Sequence, residues 1–81
     1  MDDSTVTGHI EDLVAEEHRL LEAHAEGEGL AEAEHARLEA VRVELDRYWD
    51  LLRQRRARED AGIDPDGASL RDERTVEGYE Q

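Results

Sequence analysis

Cysteine, phenylalanine and lysine are all absent from this chain, and proline, methionine and tryptophan each occur once. Without cysteine there is no disulfide staple and no thiolate metal site. Without phenylalanine, and with Tyr48, Trp49 and Tyr79 as the whole aromatic complement, any core must be aliphatic. No run approaches the roughly 18 consecutive apolar residues that cross a bilayer. Met1-Asp2-Asp3-Ser4 carries neither the basic nor the apolar region of a secretion signal. The expectation is a soluble cytoplasmic protein. At 81 residues it is one small domain, near the size at which a single core barely suffices.

Negative charge is in excess, with a formal net of -13. It is unevenly spread: residues 1–34 set 11 acidic side chains against Arg19 alone, while residues 35–61 set 6 against 7 Arg. Residues 62–81 return to 6 acidic and 2 Arg. Such a chain is repelled by phosphate, so direct nucleic-acid binding and anionic-membrane binding are disfavoured. The one basic run, Arg53-Gln54-Arg55-Arg56-Ala57-Arg58, falls where a helix would end. Cations there complement the negative end of the helix dipole.

Apolar residues recur at helical spacing, with one interruption at Gly27-Glu28-Gly29. With Ile10 at heptad position a, Glu17 and His24 also fall at a. Val6, Leu13 and Leu20 then fall at d, and Val14 and Leu21 at e. The pattern predicts a helix from about residue 4 to about residue 25, capped in the region of Ser4 and Asp3. Glycine readily takes the left-handed conformation that ends a helix, so Gly27 and Gly29 terminate it. A second helix is expected from about 31 to 60. Leu30 can staple its first turn, and Glu34 stands where a capping-box carboxylate belongs if Ala31 is the cap. Leu38, Leu45 and Leu52 take a in this helix, Val41 and Tyr48 take d, Arg42 and Trp49 take e, and Leu51 takes g. Gly62 stops the helix, and Asp64-Pro65-Asp66-Gly67 makes a turn.

The expected fold is all-α: an antiparallel two-helix hairpin over residues 1–62 that dimerises into a four-helix bundle, with an extended or mobile tail over 63–81. Dimerisation is expected because two amphipathic helices cover only part of each other's apolar stripe. The tail is acidic and poor in apolar anchors, which are Val76 and Tyr79. This composition favours loose attachment over a third packed element.

Several groups of residues resemble one family. They are Met1-Asp2-Asp3, Gly8-His9-Ile10, Glu16-Glu17-His18-Arg19-Leu20, the run Glu44-Leu45-Asp46-Arg47-Tyr48-Trp49-Asp50-Leu51-Leu52-Arg53-Gln54-Arg55-Arg56-Ala57, Asp64-Pro65-Asp66 and Val76-Glu77-Gly78-Tyr79. Together they look like an actinobacterial family of small proteins known only as family 2630 of the domains of unknown function. Where relatives often carry Ser or Asp as the cap after the turn, this chain has Ala31. The resemblance implies an intracellular bacterial protein and no particular activity.

Chemistry is sparse. Glu17 with Glu32-Ala33-Glu34-His35 has the composition of a carboxylate-bridged metal site. A turn near residue 28, however, sets Glu17 opposite about residue 39, a helical turn from His35. His9, His18, His24 and His35 are therefore read as solvated or hydrogen-bonded, and no metal or cofactor is expected. Glu17 interrupts an apolar stripe and needs a partner, and Arg42 across the hairpin is the natural one. A pair of this kind sets register. Nothing resembles a catalytic triad or a phosphate loop, so no enzyme is expected. Trp49 either fills the helix interface or acts as an interaction hot spot. Helix 2 beyond about residue 52 is expected to overhang helix 1.

Partner binding is assigned to Tyr48, Trp49, Leu51, Leu52, Arg53, Arg55, Arg56, Arg58, Val76 and Tyr79. The leading function is a self-associating, non-enzymatic adaptor that binds a protein partner through the Arg-rich end of helix 2 and the tail. The alternative is an acidic mimic of nucleic acid that occupies a basic protein surface.

Overall fold

The computed structural model describes residues 1–23, 31–72, 74 and 76. The first helix, α1 (Asp3–Ala23), is capped by Asp2 rather than in the region of Ser4 and Asp3. Asp2 Oδ1 accepts the Thr5 N–H at 2.8 Å, and its carbonyl accepts the Val6 N–H at 3.0 Å. A carboxylate at the positive end of the helix dipole is a stronger acceptor than a hydroxyl, so the acidic residue takes the cap. The bond from the Thr5 N–H holds the Asp2 carboxyl below its usual range.

The second helix, α2 (Glu32–Asp60), opens at Ala31. Ala31 has no side-chain acceptor, but Glu34 Oε1 reaches back to its N–H at 3.0 Å. This is the half of a capping box that an alanine permits. At the far end Gly62 takes φ +73. The Ile63 N–H bonds the Arg58 carbonyl at 2.8 Å, and the Gly62 N–H bonds that of Glu59 at 3.0 Å. These are the two bonds of a Schellman stop. A 3-10 turn, Pro65–Gly67, follows at once, and Asp64 Oδ1 accepts the Asp66 N–H at 2.9 Å.

The two helices pack as an antiparallel hairpin around an aliphatic core of Val6, Ile10 and Leu13 against Val41, Leu45, Leu51 and Leu52. Among the described residues four cross-helix pairs mark the register. They are Glu16 with Arg37, Glu17 with Arg42, His9 stacked on Tyr48 with ring centroids 4.9 Å apart, and Asp3 with Arg55. Because α1 begins at Asp3, it accompanies α2 as far as Arg55. The overhang is therefore shorter than the sequence suggested, starting at Arg56 instead of near residue 52. No strand occurs among the described residues, and none of their helices is long and apolar enough to cross a membrane. The Gly27-Glu28-Gly29 break, His24, Leu30 and Tyr79 lie outside the described residues.

Candidate interaction surfaces

In an antiparallel helix pair, the g positions of both helices border one edge of the seam and the e positions border the other. The g edge carries the Glu16–Arg37 pair, in which Arg37 Nη2 donates to Glu16 Oε1 at 2.6 Å and Nε donates to Oε2. That guanidinium holds the Glu16 carboxyl below its usual range, and the carboxylate raises the pKa of Arg37 in return.

Farther along the same edge, residues 64–71 return beside α2. Side chains of α2 hold them chiefly by their main chain. Arg47 donates to the Arg71 carbonyl at 2.9 Å, Gln54 to that of Ser69 at 2.7 Å, and Arg58 to that of Asp64 at 3.3 Å. Ala68 packs on the core cluster, and Leu51 at position g is only 4% exposed. The apolar arc of α2 is wide here because two neighbours cover it, α1 and the returning strap. Val76 is also buried, and its N–H bonds the Asp72 carbonyl at 3.2 Å.

Among the described residues two charged side chains are buried, Asp50 at 4% and Arg55 at 5% exposure. Burying an ion is costly unless it is paired, and each draws a partner from the strap. Arg55 Nε donates to Asp3 at 2.5 Å, and Nη1 donates to Asp66 Oδ1 at 3.0 Å and to the Pro65 carbonyl at 3.3 Å. The Asp3 carboxylate is the first cause that raises the Arg55 pKa. Asp50 accepts from Gln54 at 2.9 Å and faces Arg71 Nε at 3.6 Å. Arg55 thus joins the start of α1, the end of α2 and the 3-10 turn. Its place on the seam follows from the d series Val41, Tyr48, Arg55, a signal that its membership of the basic run masks. Asp50 has no comparable signal, because nothing in its helix position reveals that the strap returns over it.

The e edge has no such cover among the described residues. Val14, Leu21 and Trp49 remain 46%, 40% and 44% exposed. Trp49 borders a groove with Glu17, Glu39, Arg42, Leu45 and Asp46, and Val14 borders a shallow apolar patch with Ile10, Glu11 and His18. Arg42 Nε meets Glu17 Oε2 at 3.3 Å, with the two side chains 47% and 28% exposed, so the expected pair forms at the margin of the seam. Arg53 and Arg56 are exposed and make no ion pair or hydrogen bond with another described residue.

The residues singled out for partner binding therefore separate. Leu51, Leu52, Arg55 and Val76 are buried within the chain, Tyr48 is half-buried under His9, and Arg58 lies against the turn. Trp49, Arg53 and Arg56 stay together on the surface. Among the described residues no group of three or more His, Asp or Glu side chains is arranged to hold a metal ion.

Hairpin, strap and uncovered edge define a small all-α protein whose features are packing surfaces and ion pairs. Residues 2–81 match the family described as Protein of unknown function (DUF2630), and the chain belongs to that family. It is similar to Uncharacterized protein Rv0898c of Mycobacterium tuberculosis, with 47% identity over 78 residues, covering 95% of this chain and 88% of that relative. The same figures relate it to Uncharacterized protein Mb0922c of Mycobacterium bovis. No solved structure matches the chain.

Proposed function

We propose that this protein is a non-enzymatic helical interaction protein that self-associates and engages a protein partner through the e edge of α2. The observation that carries this reading is the single tryptophan. Trp49 stands 44% exposed on a helix whose other edge is roofed by the strap. Arg53 and Arg56 lie one and two turns farther along, without partners among the described residues. Aromatic and arginine side chains gathered at an uncovered apolar edge are what protein interfaces enrich. The strap occupies Arg55 and Arg58, so the contact surface moves from the Arg-rich end and tail toward Trp49, Arg53 and Arg56. The buried ions Asp50 and Arg55 each hold separate chain segments together, which supports a structural role for them over a catalytic one.

An acidic mimic of nucleic acid is the competing reading. It is weakened by Arg37 and Arg42, which pair with Glu16 and Glu17 and so thin the anionic surface of α1. A photo-crosslinking amino acid placed at position 53 or at position 40, on opposite edges of α2, separates the two in cells. The interaction reading expects a discrete protein adduct from position 53 that disappears with Trp49→Ala and survives high salt in extracts. Identical adducts from both positions, or adducts that ignore Trp49→Ala and vanish with salt, would overturn it.

A further inference from the structure

We infer that the edge of α2 beneath the strap is a binding site for an extended protein segment in which an acidic residue precedes an arginine by five positions, and that the strap is its resident ligand. This edge lies opposite the one assigned to Trp49, so the inference goes beyond that reading and stands apart from it. The two buried ions define the site. Arg55 offers a cation and Asp50 an anion, at 5% and 4% exposure. The strap answers them in order: Asp66 Oδ1 lies 3.0 Å from Arg55 Nη1, and Arg71 Nε lies 3.6 Å from Asp50 Oδ2. Because the two ends differ in sign, only one direction of the incoming chain satisfies both.

The remaining contacts read main chain. Arg47, Gln54 and Arg58 donate to the carbonyls of Arg71, Ser69 and Asp64, and any residue can supply a carbonyl. Side-chain selection is thus confined to the two charges and to a small residue at the place of Ala68, which packs on the core cluster. Leu70 stays 37% exposed, so little of the strap's own apolar surface is held down. Segments with few buried apolar contacts open locally at low cost. Release leaves Asp50 with Gln54 and Arg55 with Asp3. The vacated edge then presents an anion and a cation spaced for a segment of the same pattern. Its occupant in trans is a protein partner's extended segment with an acidic residue, a small residue two positions on and an arginine five positions on.

The test adds a peptide of residues 64–72 to full-length chains and follows the Gln54 side-chain amide and the Arg55 Nε–H by NMR. Asp66→Arg with Arg71→Asp sets the strap's charges against like charges on α2, and Asp66→Asn with Arg71→Gln removes them, so the site is vacated by two routes. The inference expects parent-like helicity in both variants, displaced Gln54 and Arg55 signals, and their return toward the parent positions as peptide is added. Apparent affinity for the parent chain should be lower on the order of ten-fold or more, because the strap leaves the site free for only a small fraction of the time. A peptide of identical composition, carrying Asp66→Arg and Arg71→Asp, should restore neither signal. Equal responses to the two peptides, no response in either variant, or signals that stay at their parent positions in both variants would overturn the inference. Loss of helicity in both variants would also overturn it, by showing that the strap is inseparable from the hairpin.

Discussion

Arg55 and Asp3 stand 52 positions apart in sequence and meet at 2.5 Å, with the guanidinium Nε donating to the carboxylate. The same guanidinium holds Asp66 at 3.0 Å, so one buried cation fixes where α1 begins and where the strap turns back. Replacing Arg55 with Met keeps the volume and removes both links. The expected outcome is retained helicity with amide exchange at Asp66, Gly67 and Ala68 faster by about ten-fold or more, since those N–H groups bond within the turn that Arg55 anchors. Asp66→Asn alone should do less, because Asp66 is an exposed partner. Unchanged protection in Arg55→Met would show that the strap does not depend on this contact.

Gly62 joins α2 to the strap. A Cβ built there meets nothing within 4 Å, but φ is +73. The whole penalty of Gly62→Ala is thus conformational, about 1 kcal/mol, lowering the melting temperature by about 4–8 °C. Gly62→Asn should recover part of the loss, since asparagine tolerates the left-handed region. A thermal melt of Gly62→Ala that superimposes on the parent would mean that the stop is not set by this residue.

Glu17 and Arg42 meet as the heptad reading expected, yet at 28% and 47% exposure neither side chain is deeply buried. Water remains available to whichever partner is left alone. A double-mutant cycle with Glu17→Gln and Arg42→Gln should therefore give a coupling of about 0–1 kcal/mol, with the two single changes similar in size. A coupling above about 2 kcal/mol would indicate the desolvated pair that the apolar stripe first suggested.

Acid should destabilise the fold through Asp2 and Glu16. The bond from the Thr5 backbone N–H lowers the Asp2 pKa, and the bond from Arg37 lowers that of Glu16. A carboxyl with a lower pKa in the folded state binds fewer protons when folded than when unfolded. Its contribution is complete above the unfolded value, about 4, and is lost as pH falls through the folded value. Melting temperatures from about pH 7 to about pH 2.5 should hold level and then drop below about pH 4. In Glu16→Gln the drop should be shallower. A Glu16→Gln curve parallel to the parent at every pH would contradict this assignment.

The hairpin was legible because its signals are local. The apolar period, Gly62, the Asp64-Pro65 turn and Glu34 behind Ala31 each act within a few residues of where they stand. The Glu17–Arg42 pair was legible because a hairpin with a short connection fixes which residues face each other. The strap was not, because main-chain carbonyls of Asp64, Ser69 and Arg71 make most of its contacts, and carbonyls carry no sequence signature. Hydropathy alone pointed to a loosely attached tail, while its described part is held by hydrogen bonds and by the two buried ions. Leu51 is the clearest example. Its off-seam position suggested a partner surface, yet it is 4% exposed and belongs to the core cluster on which the chain's own Ala68 packs.

The e edge carries its own probe in Trp49, the single tryptophan. Its fluorescence should be followed across protein concentration in parallel with light scattering. The expected outcome is a blue-shifted emission and reduced acrylamide quenching over the same concentration range in which the mass doubles from 9.2 kDa. Emission that stays red-shifted and fully quenchable while the mass doubles would place the interface elsewhere, and an unchanged mass with unchanged emission would contradict self-association itself.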